Sequence, residues 1–141
     1  VLDDRALLSR VRKILLALLA VGTAGTALEL LLLGHFEEPA QIAPLLLGAV
    51  GVAAAIWHFR VESRSSSIVL GVAMALFVVS GFVGVVLHYQ GNVEFELEMY
   101  PDIGGFELLG KTVTGATPVL APGTMALLGL VGLAALYGGR R

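Results

Sequence analysis

The sequence predicts an all-α integral membrane protein of four spanning helices, on three observations. The first is four long apolar runs: Ile14–Leu33, Ile42–Trp57, Ile68–Leu87 and Val119–Tyr137. The second is composition. At 57% hydrophobic residues over 141 positions and a mean hydropathy of +0.88, the chain is far more apolar than a soluble domain of its size. The third is charge placement. Of nine Lys and Arg residues, Arg5, Arg10, Arg12, Lys13, Arg60, Arg64, Arg140 and Arg141 flank run ends that share one side of a membrane, and Lys111 falls on the other. By the positive-inside bias, both termini are expected to be cytoplasmic. The opposite side holds Glu37, Glu38, Glu94, Glu96, Glu98, Asp102 and Glu107.

A hydrocarbon layer of about 30 Å takes about 20 helical residues to cross. The predicted helices are about 14–33, 42–58, 68–88 and 119–137 in one transmembrane domain over residues 1–141. Lipid leaves no exposed backbone group satisfied, and these runs are too long and continuous for barrel strands. The expected location is the bacterial inner (plasma) membrane.

Residues 1–13 interleave Leu2, Leu7, Leu8 and Val11 with basic side chains, which suits an amphipathic start or an extension of the first helix. The first apolar run exceeds the roughly 7–15 residues of a secretory h-region and reads as a spanning helix. Gly34–Gln41 is a short outer link, so the first two helices should be antiparallel neighbours, with Pro39 and Pro44 marking entry to the second. In the second helix Trp57 and His58 extend the span as interfacial anchors. Arg60–Ser67 is a short inner link whose serines suit a helix N-cap.

The outer segment at about 89–118 is too long for a simple connection. It opens on Gly91-Asn92 and then alternates, with turn signals at Pro101-Asp102 and Gly104-Gly105. Val93, Phe95, Leu97 and Met99 fall on one side and Glu94, Glu96 and Glu98 on the other, as in a strand or extended ribbon. Phe106–Val113 reads as a returning strand or a short amphipathic helix lying on the membrane. The spanning helices carry many small residues, among them Ser80, Gly81 and Gly84 in the third, which suits close helix packing.

Glu29 lies inside the first apolar run. A carboxylate at mid-membrane costs about 2.5–3.5 kcal/mol on insertion scales, so such a residue is a proton carrier, an ion ligand or a link between helices. Its neighbours Gly22, Gly25 and Thr26 predict that it faces the packing side. His35 and His88 end the first and third helices on the outer side. With Glu38, Glu94, Glu96 and Glu98 they form a candidate cluster for a metal ion or a partner. A haem held by the two histidines is a remoter option. No cofactor is required by the sequence.

The chain has no cysteine, which removes disulfide exchange, iron–sulfur clusters and cysteine–zinc sites. No nucleophile has a base within plausible reach on the same side, and no phosphate-binding glycine loop is present, so an enzyme is not expected. Basic residues split among helix ends speak against nucleic acid. The expected partners are membrane lipids and other membrane protein subunits. Two functions fit: a small accessory subunit contributing packing helices and an acidic outer docking loop, or a small oligomeric transporter or metal- or proton-handling protein. The first predicts that Glu29 meets another chain. The second predicts that Glu29 faces a polar cavity.

Overall fold

A computed structural model describes residues 3–138. Arg140, Arg141 and Leu2 lie outside the described residues. The chain is all-helical: α1 Asp4–Leu32, α2 Pro39–Val61, α3 Arg64–Met99, α4 Gly105–Val113 and α5 Gly123–Leu136. Helices α1, α2 and α3 are long and apolar enough to cross a membrane.

The first helix starts at Asp4, so the basic N-terminal residues extend it. It stops in a Schellman turn. Gly34 takes φ +67°, its N–H reaches the Leu31 carbonyl at 3.2 Å, and the His35 N–H reaches the Leu30 carbonyl at 2.8 Å. That turn fixes where His35 leaves the helix. At the start of α2, the Gln41 Oε1 accepts from the Glu37 and Glu38 N–H groups, and Pro39 occupies the first turn where its missing donor costs nothing. Two residues, Glu62 and Ser63, link α2 to α3. Ser63 caps α3 reciprocally: its hydroxyl accepts from the Ser66 N–H at 3.1 Å, and the Ser66 hydroxyl accepts from the Ser63 N–H at 3.0 Å.

Two expectations are revised. The alternating segment 93–99 is helical, part of a 36-residue α3. Extending an existing helix costs far less than starting a strand without a partner, and Glu, Leu and Met are good helix formers. Once helical, the alternation scatters its apolar residues around the axis, leaving Phe95, Leu97 and Met99 exposed. The fourth apolar run is only partly α-helical, because α5 begins at Gly123. Pro122 has no N–H to give the Pro118 carbonyl, so 118–125 winds with shorter bonds, such as Ala121 N–H to the Pro118 carbonyl at 3.1 Å. At 14 residues α5 spans about 21 Å, short of a hydrocarbon layer.

The segment 105–113 is a helix, α4, packed on α3. Helix α5 lies against α3 and α1, and α2 lies against the same two helices. The core where they meet is built from Leu16, Leu19, Ala54, Ala55, Leu70, Met74, Phe77 and Leu128. The α3–α5 contact is close enough that backbone touches backbone. A Cβ on Gly81 would sit 2.5 Å from the Ala126 nitrogen, and one on Gly129 would sit 2.6 Å from the Met74 carbonyl oxygen.

Candidate functional site

The candidate residues divide between two places. Glu29 lies on α1, one turn before its end, and is exposed. This overturns the expectation that it faces the packing side. The buried stripe of α1 runs through Leu16, Leu19 and Thr23, and at 3.6 residues per turn Glu29 sits about 100° around the helix from it. Gly22 does pack, because a Cβ there would meet Leu128 at 2.6 Å, but Gly25 has nothing within 4 Å. Glu29 stands two turns beyond Gly22 on nearly the same face, at a level where it is exposed, as are Leu18, Val21, Leu28 and Leu32. It has no hydrogen-bond or ion-pair partner among the described residues.

The second place is the end where α1 stops and α3 continues. Here the structure does bring His35 and His88 together, with ring centroids 6.1 Å apart and planes at 68°. His35 arrives from the Schellman turn of α1. His88 belongs to a stripe of α3 that runs Phe77, Gly81, Gly84, His88, Asn92 and Glu96, in steps of three or four residues. Its lower part packs on α5 and its upper part carries the segment after α4. The His88 Nδ1 donates to the Pro118 carbonyl at 3.0 Å, since a carbonyl can only accept. That leaves Nε2 without the proton in the neutral ring and able to accept a hydrogen bond or bind a cation.

The carboxylates do not join the histidines. Glu94 and Glu98 are exposed on other faces of α3, Glu96 is buried on the side of α4, and Glu38 stands at the N-cap of α2. Among the described residues, no group of three or more His, Asp or Glu side chains is placed to hold a metal ion. The pair of imidazoles is thus a two-nitrogen site without an acidic third ligand.

Asn92 is the residue that sequence reasoning missed. Gly91-Asn92 opens what reads as an outer loop, but Asn92 is buried inside α3 and makes three hydrogen bonds. Its Nδ2 donates to the carbonyls of Thr112 at 2.9 Å and Thr117 at 2.7 Å, and its Oδ1 accepts from the Thr117 N–H at 3.2 Å. One amide thereby pins both the end of α4 and the segment leading to α5. Gly115 packs on it; a Cβ there would sit 2.9 Å from Nδ2.

Beyond this pin, α3 and α4 form a helical hairpin. An open cleft of about 400 Å³ lies at its tip, lined by Met99, Tyr100, Asp102, Ile103, Glu107 and Lys111. The Lys111 ammonium stands 3.6 Å from the centroid of the Tyr100 ring, a cation–π contact.

No family model, curated protein or solved structure matches this chain. The functional reading rests on the geometry.

At the opposite end of the molecule, Arg12 donates from Nε and Nη2 to the Tyr137 carbonyl at 3.2 and 2.7 Å, capping the open end of α5 from α1. Nearby, the His58 Nδ1 and the Ser66 hydroxyl are hydrogen-bonded at 3.0 Å across the α2–α3 link. Both contacts are structural, and neither presents a free reactive group.

Proposed function

We propose that this chain is a small accessory or structural subunit of a larger membrane protein complex. In this reading α1, α2, α3 and the whole fourth apolar run, α5 with the turns that flank it, cross the bacterial inner membrane, both termini are cytoplasmic, and the α3–α4 hairpin stands in the outer compartment. The single observation that carries the reading is Glu29. An ionisable side chain on the open face of an apolar helix, with Leu18, Val21 and Leu28 beside it, has no internal partner to offset its cost in lipid. A helix of another chain that brings a hydrogen-bond donor or a cation to this face removes that cost. Gly25 lets such a helix approach closely.

A proton or ion carrier needs its carboxylate on a polar path, whereas Glu29 lies exposed among apolar side chains of α1, apart from the cleft at the hairpin tip. One observation favours the alternative of a metal-handling protein: the approach of His35 and His88.

The test is the native mass after gentle detergent extraction from the chain's own membrane, for the parent and for Glu29→Leu. The expected result is migration within a larger assembly, at least partly dissociated by the substitution. Migration alone or as a small homo-oligomer would sink the subunit reading and make the histidine pair the first candidate.

A further inference from the structure

We infer that the α3–α4 hairpin is a docking surface for a protein domain with a basic rim around an apolar pocket, and that Phe106 is the side chain that enters the pocket. This rests on the subunit reading and its orientation, and adds where and to what kind of partner the chain binds outside the membrane.

The first argument is length. Helix α3 has 36 residues, about 54 Å, and the stretch from Leu87 to Met99 rises about 18 Å beyond the apolar run. Helix α4 then turns back along this projection, with Thr112 beside Asn92 and Lys111 beside Tyr100. The start of α4 therefore stands at the tip, far from the hydrocarbon. Phe106 is there, 92% exposed. Leu109 and Val113 continue the same open face, and Met99 and Phe95 are half exposed on the adjoining helix. In the proposed orientation the open apolar face of α4, Phe106, Leu109 and Val113, is held out in water, which marks an interaction surface.

The second argument is rigidity. The hairpin is not a loose loop, because Asn92 ties it down with three hydrogen bonds. A pre-ordered surface pays little ordering entropy on binding.

The third argument is charge, and it selects the occupant. Between His88 and Val113 the chain exposes Glu94, Glu98, Asp102 and Glu107, with Glu96 buried, against Lys111 alone. That lysine is engaged with the Tyr100 ring. Amphipathic helices that lie on lipid carry Lys and Arg on their polar face, attracted by anionic headgroups. This hairpin has the opposite sign and is repelled by them. An acidic surface around an apolar patch is complementary to a protein face with Lys and Arg around an apolar recess.

The test places a photoreactive phenylalanine analogue at Phe106 in the full chain in intact membranes, and in a second preparation at Leu28, on α1 beside Glu29. Adducts are identified by mass spectrometry. The docking surface predicts one protein adduct at position 106, joined to an apolar segment flanked by Lys or Arg. Its yield should fall at least fivefold in the combined Glu94→Gln, Glu98→Gln and Glu107→Gln variant and in 0.5 M salt, with the Leu28 adduct unchanged. Adducts to lipid alone at 106, to a second copy of this chain, or with a yield indifferent to charge overturn it. If Leu28 still yields a protein adduct in those cases, the subunit reading stands and the hairpin inference alone falls. Protein adducts at neither position overturn both.

Discussion

Two residues show how far a side chain's role depends on its setting. Asn92 satisfies the carbonyl and N–H of Thr117 and shares the Thr112 carbonyl with the Gly115 N–H. Asn92→Ala is expected to cost about 1–3 kcal/mol, the range for stranded buried polar groups. Asn92→Asp should cost more, since a carboxylate has no N–H to offer the Thr112 and Thr117 carbonyls. Limited proteolysis checks this: the segment at 114–118 should become a cleavage site in both variants while the apolar helices stay intact. Thr23 behaves in the opposite way. It is buried against α2 and its hydroxyl has no partner, so Thr23→Val, which keeps the shape, should leave thermal stability in detergent unchanged or raised. A clear loss of stability would show that the hydroxyl is satisfied. Neither role was legible in the sequence. Asn92 opens a segment that reads as a loop, and Thr in an apolar run reads as ordinary packing, because burial of a given atom depends on which helix lies across from it.

At the scale of elements, the apolar cores of α1, α2 and α3 were plain from hydropathy, which needs no knowledge of neighbours. Their facing was not. Helix α1 packs through Leu16, Leu19 and Thr23 and brings Gly22 against Leu128, yet Glu29, two turns beyond Gly22, is exposed. The continuation of α3 through 93–99 was missed because a seven-residue alternation looks like a strand when read without the helix that precedes it. The α3–α5 contact gives the sharpest prediction at this scale. Gly81→Ala and Gly129→Ala each push a methyl into backbone of the other helix, which cannot rotate away. Each should lower stability by about 1–3 kcal/mol, as over-packing does, measured by thermal unfolding in detergent. Gly25→Ala meets nothing and serves as the control; an equal loss there would refute the contact-based account.

For the whole molecule, the prediction concerns orientation. The chain has no cysteine, so single introduced thiols report without background. Ser9→Cys and Glu107→Cys, both at exposed positions, should be labelled by a membrane-impermeant maleimide from opposite sides of sealed vesicles. Outer accessibility is expected for position 107 and inner for position 9. Labelling of both from one side would overturn the topology proposed for the four helices. The candidate site was half legible at this scale. The sequence placed His35 and His88 at the same end of their helices, and they do meet. It also grouped them with Glu38, Glu94, Glu96 and Glu98, which the helical continuation of α3 and the N-cap of α2 send elsewhere. Sequence proximity to a histidine says little once the intervening residues wind at 100° each.

The placement of α5 also bears on how the chain is made. This helix is synthesised after α1–α4, yet it fills the space between α1 and α3. Until it arrives, Leu19, Met74 and Phe77 line an open groove, with Gly81 leaving room for a backbone to come close. When it arrives, Arg12 from the start of the chain caps its final carbonyl. A nascent chain stopped before Pro118 is thus a molecule with a vacant seat shaped for a glycine-faced helix. In the crowded plane of a membrane, such a seat is open to the helices of other proteins until α5 closes it.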